Sequence, residues 1–470
     1  MVLRRALIAA AVALAAVSTA CSHSKSTPNA ATTTSTTIAK RPGVAVGASK
    51  WSTAAVNPVT SVVAAGGRFI VYGSSGGHLI LFGLDPASGA VVWQQEATRG
   101  DAAQGINLGV TQVGDAVVYL RPAVAGQQLV VADPATGKDR WVSAPAAFGS
   151  LPDDCGDGTH VCAGIESAGI FSFGLTDGAR QKLDVPADGR ELGPALYDFG
   201  GRNPETFGVV LPTGRAWSAT VTDVFGPNHS TDNGWDFERY QSDGVYAASV
   251  APTEPANAPT TSENLTNSST VGLDAATGKK LWSVPASYLA CQAALFVSAN
   301  PGGQGPPLPV LCNYAGTATF DKAGNVTLSG PTTVSGFDPK TGAIRWHWQA
   351  NNDPSLLDAT KPHVQVDDES VVLPNGMGVL FVVNLRTGTS EPVTPAVSGW
   401  CVTTATYTFG PADPKNPGSN EEAGGNLAAP CTADGKSGGS PTVLPHGIGA
   451  TIGGVVAYAT PSGVTAVAVK

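Results

Sequence analysis

One spacing constrains this chain more than any other feature: Asp, Gly and Trp set four and four residues apart. It occurs as GLDPASGAVVW (83–93), VADPATGKDRW (131–141), GLDAATGKKLW (272–282) and GFDPKTGAIRW (336–346). A single copy would be an ordinary turn, but four copies with one internal spacing mark a repeated structural unit. The residue types describe a tight connection between two strands. Asp85, Asp133, Asp274 and Asp338 can accept hydrogen bonds from backbone N–H groups two or three residues on, and Gly89, Gly137, Gly278 and Gly342 supply a positive φ. The residues before each turn are nearly all apolar, as in LILFGL and QLVVA, which predicts a strand covered on both faces. After it Lys, Asp and Arg are tolerated, and only Trp93, Trp141, Trp282 and Trp346 are constant. That strand is predicted to be an outer one, its indole packed against the neighbouring unit.

Weaker copies fill the gaps. FSFGLTDGARQKL (171–183) turns at Gly178, FGVVLPTGRAW (207–217) keeps Gly214 and Trp217 one residue closer, and FVVNLRTGTSEPV (381–393) has Asn384 and Gly388. The C-terminal GGVVAYATPSGVTAVAVK (453–470) resembles GGRFIVYGSSGGHLILFGLD (66–85) but stops where the turn and the Trp strand should follow. The missing strand stands near the other end as KWSTAAV, with Trp51 in the Trp position. The predicted units are 60–95, 108–145, 158–187, 193–222, 243–285, 308–350, 364–394, and 447–470 completed by 48–56. A last unit completed by the first strand describes a closed ring, so the expected fold is an all-β, eight-bladed β-propeller over 48–470, or a seven-bladed one if 193–222 is not a blade. Composition agrees: 57 Gly and 35 Pro with only 13% charged residues suit a turn-rich β protein better than a helical bundle.

The repeat resembles that of the quinoprotein, or PQQ-like, β-propeller superfamily, and within it a single-propeller chain is most similar to the outer-membrane assembly factor B type. The resemblance implies the fold more than the activity. In the quinoprotein dehydrogenases it implies pyrroloquinoline quinone at the propeller axis, with calcium or a lanthanide, a carboxylate base and, commonly, a disulfide of adjacent cysteines. This sequence has no Cys-Cys pair. Asp153, Asp154, Asp157, Asp367 and Asp368 read as solvated turn residues rather than as a calcium loop, which needs several oxygen ligands at set spacing. No G-x-S-x-G elbow, H-E-x-x-H pair or phosphate loop appears. The expectation is no catalytic residue, no metal and no cofactor.

The N-terminus decides the expected compartment. Arg4 and Arg5 precede an apolar run from Ala6 to Val17, then small residues and Cys21, the plan of a secretory signal over 1–21. VSTAC resembles the lipobox of bacterial lipoproteins, with Ser18 where an aliphatic residue is usual; this implies acylation of Cys21, and a signal cleaved nearby with free secretion is the alternative. Residues 22–47, rich in Ser and Thr, are expected to form a disordered tether with an r.m.s. reach of about 25 Å. Export suits the remaining cysteines, Cys155, Cys162, Cys291, Cys312, Cys401 and Cys431; of their possible pairings, the three sequential ones close short local loops. A net charge of −9 without a long basic run after the tether makes nucleic acid a poor partner.

What remains is a set of insertions at 223–242, 252–268, 297–307 and 402–446, where a propeller does its binding. Trp235, Phe237 and Tyr240 in the first make a candidate contact loop, with packing on its own blade as the alternative. The functional expectation is a non-enzymatic cell-envelope lipoprotein binding an envelope protein or complex. Alternatives are a surface sensor for a small ligand or glycan, and a quinone-dependent dehydrogenase.

Overall fold

A computed structural model describes residues 43–100, 108–186, 189–193, 195–200, 205–227, 229–231, 235–250, 261–289, 291, 308–320, 326–350, 363–409, 421–445 and 448–470. Eight antiparallel sheets follow one another around a ring, and the α-helix whose span is described is the single turn Val221–Phe225. Blade 1 comprises Asn57–Pro58 with Val63–Ala65, then Arg68–Ser75, His78–Leu84 and Val91–Ala97. Blade 2 runs through Thr111–Val113, Ala116–Ala123, Gly126–Ala132 and Asp139–Val142, and blade 3 through Asp153–Asp154, His160–Ile165, Gly169–Gly174 and Arg180–Lys182. Blade 4 is Arg190–Gly193, Leu196–Asp198, Thr206–Leu211 and Gly214–Thr220, so the 193–222 unit is a blade and the ring has eight. Blade 5 holds Trp235–Tyr240, Val245–Val250, Ser269–Asp274 and Lys280–Pro285; blade 6 holds Ser287–Tyr288, Val310–Tyr314, Thr332–Phe337 and Ile344–Gln349. In blade 7, Ser370–Pro374, Leu380–Asn384 and Ser390–Pro392 are joined by a short first strand at Gln365, which bridges to Val371.

Blade 8 closes the ring with strands from both ends of the chain. Gly449–Ile452, Val455–Thr460 and Gly463–Val469 are followed in the sheet by Val44–Thr53, in which Trp51 opposes Ala466. This strand begins at Val44, inside the stretch expected to be tether. The reason is a further pairing: Val44 and Ala45 oppose Leu444 and Val443, so the backbone of these residues has partners to hold it extended.

The first strand of each blade is the innermost. First strands of blades 2 and 3, 4 and 5, and 8 and 1 approach one another, as only strands near the axis can. The middle two strands are nearly continuous buried runs, such as Val117 to Leu120 and Leu129 to Ala132, whereas the Trp strands are largely exposed. Each turn of the repeat is built the same way. Asp133 Oδ1 accepts from Thr136 N at 2.9 Å and Thr136 Oγ1 at 2.7 Å, and Asp274 Oδ1 accepts from the equivalent Thr277 atoms at 2.8 and 2.7 Å. The turn glycine, at φ 68–72° in all four copies, donates its N–H back to the Asp carbonyl at 2.8 Å.

The Trp side chain then latches onto the next blade. Trp51, Trp93, Trp141, Trp217, Trp282 and Trp346 lie against Gly89, Gly137, Gly178, Gly278, Gly342 and Gly388, so closely that a Cβ at most of these glycines would collide with the ring. Each indole Nε1 also donates to a carbonyl of the same neighbouring turn: Pro86, Pro134, Leu175, Ala275, Pro339 and Arg386, at 2.8–3.1 Å. Where blade 3 lacks the Trp, Gln181 Nε2 donates to Pro212 O in blade 4 at 2.9 Å. Blade 8 has no turn to offer blade 7, because the chain termini stand in its place. There Trp400, from outside the repeat, donates to Val443 O at 2.7 Å and packs edge-on against Tyr458.

Candidate functional site

Antiparallel alternation sends the repeat turns to one face of the ring, and the connections between second and third strands, together with those between blades, to the other. The second face is the elaborated one. On it Thr261–Asn264 of blade 5 pairs with Thr317–Phe320 of blade 6, which pairs with Val326–Ser329, adding a three-stranded sheet across two neighbouring blades. Its largest feature is a hairpin, Ser398–Phe409 with Glu421–Thr432, in the stretch expected to be a long loop. Trp400 exchanges backbone hydrogen bonds with Gln365 at 2.8 and 3.0 Å, on the edge of Gln365 turned away from Val371. The hairpin therefore starts at the inner edge of blade 7. Running antiparallel to that first strand, it heads toward the elaborated face, and the eight residues after Cys401 carry it about 25 Å further.

The hairpin base is wedged between blades 7 and 8. One side packs Cys401, Cys431 and Ala433 on Val364, Val372 and Leu380 of blade 7; the other packs Trp400 and Ala428 on Leu444, Ile448 and Val456 of blade 8. Cys401–Cys431 staples it, and beside the staple a groove of about 520 Å³ opens between His363, Pro374, Pro430 and Gly435. The other disulfides are Cys155–Cys162, closing the turn after the first strand of blade 3, and Cys291–Cys312, tying the segment just after the first strand of blade 6 to its second strand. Cys21 lies outside the described residues, as does the expected insertion 297–307.

Trp235, Phe237 and Tyr240 do not form a contact loop. They lie on the first strand of blade 5, where Trp-Asp-Phe-Glu-Arg-Tyr alternates with period two. Phe237 packs with Phe207 at 5.6 Å between centroids, Tyr240 packs with Phe337 at 5.7 Å, and Trp235 lies under the Arg190 guanidinium at 5.1 Å. Trp235 and Phe237 face blade 4, and the alternate positions, Asp236, Glu238 and Tyr240, turn the other way, with the Tyr240 ring against blade 6.

The carboxylates Asp236 and Glu238 belong to a feature that sequence reasoning missed: the inner strands of blades 3, 4 and 5 carry Asp153, Glu191, Asp236 and Glu238. Burial, with the neighbouring Asp154 adding to it, pushes Asp153 up to about 6 against one backbone hydrogen bond. Crowding by the surrounding protein and then the Asp153 charge push Glu191 up to about 8, although its side chain is exposed to solvent. Burial takes Asp236 to about 6, and burial with Asp236 takes Glu238 to about 7. The remaining acidic candidates are turn residues. Asp154 Oδ1 gathers the N–H groups of Gly156, Asp157 and Gly158 at 2.8–3.1 Å, Asp157 holds His160 at 2.7 Å, and Asp367 Oδ1 accepts from Glu369 N at 2.8 Å. The signal for the inner carboxylates was an acid at alternate positions of a strand, legible in WDFERY once it is read as a strand.

Comparison with known proteins agrees with this architecture. The sequence profile of the family described as outer membrane protein assembly factor BamB matches residues 43–150 and 266–392, together half of the chain. No curated protein matches the sequence. Among solved structures, BamB from Moraxella catarrhalis is 15% identical, covering 88% of this chain and 99% of its own, with a TM-score of 0.33. The quinohemoprotein alcohol dehydrogenase ADHIIG from Pseudomonas putida HK5 is 11% identical, covering 78% of this chain and 70% of its own, with a TM-score of 0.39. Neither superposition is close enough to bear on the site. The extent of the profile match, over blades whose turns and latches repeat as described, is what assigns the chain: it belongs to the BamB family of PQQ-like β-propellers.

Proposed function

We propose that this protein is a cell-envelope lipoprotein, anchored through acylated Cys21, that uses its propeller as a non-enzymatic platform for a protein or protein complex. One observation carries the reading: the added structure is one-sided, with the stapled hairpin and the three-stranded sheet both on the face opposite the repeat turns. Elements projecting from one face of a ring of packed blades suit recognition of another surface. Val124 and Met377, at the tips of turns between second and third strands, are almost wholly exposed on that same face. The family's description as an assembly factor supports the same reading.

The dehydrogenase alternative fares worse at the axis. Pyrroloquinoline quinone is a tricarboxylate, and the inner strands of blades 3 to 5 meet it with acidic side chains, which supply no positive charge to pair with it. Among the described residues no group of three or more His, Cys, Asp or Glu side chains is arranged to hold a metal, and the three disulfides join cysteines at least seven residues apart. Among the described residues, these groups do not fit the cofactor.

Photo-crosslinking in intact cells tests the platform. A crosslinking amino acid at Met377 or Val124 is expected to yield a discrete protein adduct, and one at Ser88 or Lys340, in repeat turns on the opposite face, is not. Adducts confined to the repeat-turn face, or none from either face of a folded protein, would sink the proposal.

A further inference from the structure

At the inner rim, two carboxylates and a phenol converge between blades 3 and 4. Asp153 opposes Cys162 across blade 3, and Cys162 packs with Tyr197, Leu183 and Val210 in the layer shared by the two blades, so Asp153 is turned toward blade 4. Glu191 opposes Tyr197 across blade 4, and Tyr197 lies in that same layer, so Glu191 is turned toward blade 3. Tyr197 is fully buried, yet its Oη has no hydrogen-bond partner among the described residues. Leaving a buried hydroxyl unpaired is costly, so a partner is expected for it. Burial first, then the charges of Glu191 and Asp153, push its ionisation well up, which keeps it a neutral phenol within electrostatic reach of both acids.

Neighbouring cations are committed or stand apart. Arg190 points to the opposite face of blade 4, where it pairs with Asp198 and covers Trp235. Arg239 reaches the rim from blade 5, lying over Tyr246 and near Gly156. Among the described residues neither Asp153 nor Glu191 forms an ion pair; Asp153 Oδ1 accepts from Asp154 N at 2.8 Å. Both carboxylates keep solvent-accessible surface, so a ligand can reach them.

We propose that this inner cleft binds a primary ammonium group, supplied by a lysine side chain of an extended polypeptide. An ammonium has three N–H donors and no acceptor, and the cleft presents the complement: two accessible carboxylates, with the Tyr197 oxygen, itself short of a donor, buried behind them. Calcium, which takes six to eight oxygens, would find too few here. Taking a polypeptide as the source rests on the platform reading; the ammonium chemistry does not.

The test is calorimetric titration of the purified full-length protein with Nα-acetyl-lysine methylamide, alongside the norleucine analogue, putrescine and calcium chloride. Saturable one-to-one binding of the lysine derivative, absent with norleucine, is expected, weakened roughly tenfold or more in Glu191→Gln and Asp153→Asn and less in Tyr197→Phe. Glu191→Gln removes a charge that burial disfavours, so it is expected to fold, and a retained thermal transition checks that. No binding by wild type, or binding unchanged in both carboxylate variants, overturns the site. Tighter calcium binding that displaces the lysine derivative replaces it with a metal site, and tighter putrescine binding removes the polypeptide as source. Failure of the lysine titration with crosslinks at Met377 intact would refute the cleft alone; lysine binding without any crosslinked partner would refute the platform alone.

Discussion

Two sets of carboxylates among the described residues pull stability in opposite directions as they ionise. In the repeat turns, a hydroxyl hydrogen bond is the largest influence on each of Asp85, Asp133 and Asp274, from Ser88, Thr136 and Thr277, and each is held below its usual range. Their contribution is present above the ordinary carboxylate range and is lost as pH falls through the lowered values. At the inner rim Asp153, Glu191, Asp236 and Glu238 are raised to between about 6 and about 8, so between pH 4 and 8 the native state binds more protons than the unfolded chain. Stability should therefore decline as pH rises through that window and level off above it. Glu191→Gln should match wild type at pH 4.5 and melt about 1–3 °C higher at pH 8.5, measured by calorimetry. A gain at pH 4.5, or none at pH 8.5, would show that Glu191 is not raised. Only one of these two groups was legible in the sequence. An Asp four residues before a Gly announces a turn because the chemistry is local, whereas Asp153 and Glu191 meet only because blades 3 and 4 are neighbours in space.

At the scale of elements, a strand was recognised where its surroundings were regular and missed where they were not. The outer pairs around each Asp and Gly stood out in the sequence, since the middle strand is largely apolar and the outer strand carries a fixed Trp near its start. First strands such as Asp153–Asp154 and Trp235–Tyr240 are short or mixed in character, with charges on the inner rim and aromatic rings between blades. Their alternation was hidden in segments that read as loops. The hairpin Ser398–Phe409 with Glu421–Thr432 was hidden for another reason: its Gly, Pro and Asn content suggests a loop, and its strand pairing depends on Gln365 and on the staple. That dependence is testable. Cys401 and Cys431 enclose a segment with a sequence separation of 30, for which loop closure stabilises by about 3–4 kcal/mol. In the double variant Cys401→Ser, Cys431→Ser the hairpin should be cleaved within 402–431 by dilute protease while the other blades stay intact, as read by mass spectrometry. Cleavage spread equally through other blades would mean that the staple holds the ring and not just the hairpin.

The molecule as a whole is a set of similar sheets, each stable mainly through its neighbours, and this makes closure its most consequential property. Six indole latches and two substitutes, Gln181 and Trp400, join each blade to the next. The substitutes sit where the repeat is imperfect: blade 3 has lost its Trp, and blade 8 has the chain ends where its turn would be. Trp51 is the latch from blade 8 to blade 1, and it reaches that position only because Val44–Thr53 completes the sheet begun at Gly449. Deleting residues 43–56 would unpair the edge of Gly463–Val469, bare Gly89 and open the ring at one point. An exposed strand edge seeks another strand, so the truncated protein is expected to form dimers or larger species by light scattering, and to lose its single cooperative transition. A circular permutant separates this effect from mere loss of residues. Lys470 N donates to Ala45 O at 3.2 Å, so a short turn can join the ends, with new termini opened at the exposed turn beside Val124. That permutant keeps every latch and adds the turn that blade 8 lacks, and it should be monomeric and at least as stable as wild type. A monomeric, cooperatively folded deletion variant would instead show that seven blades and a partial eighth suffice to hold the ring.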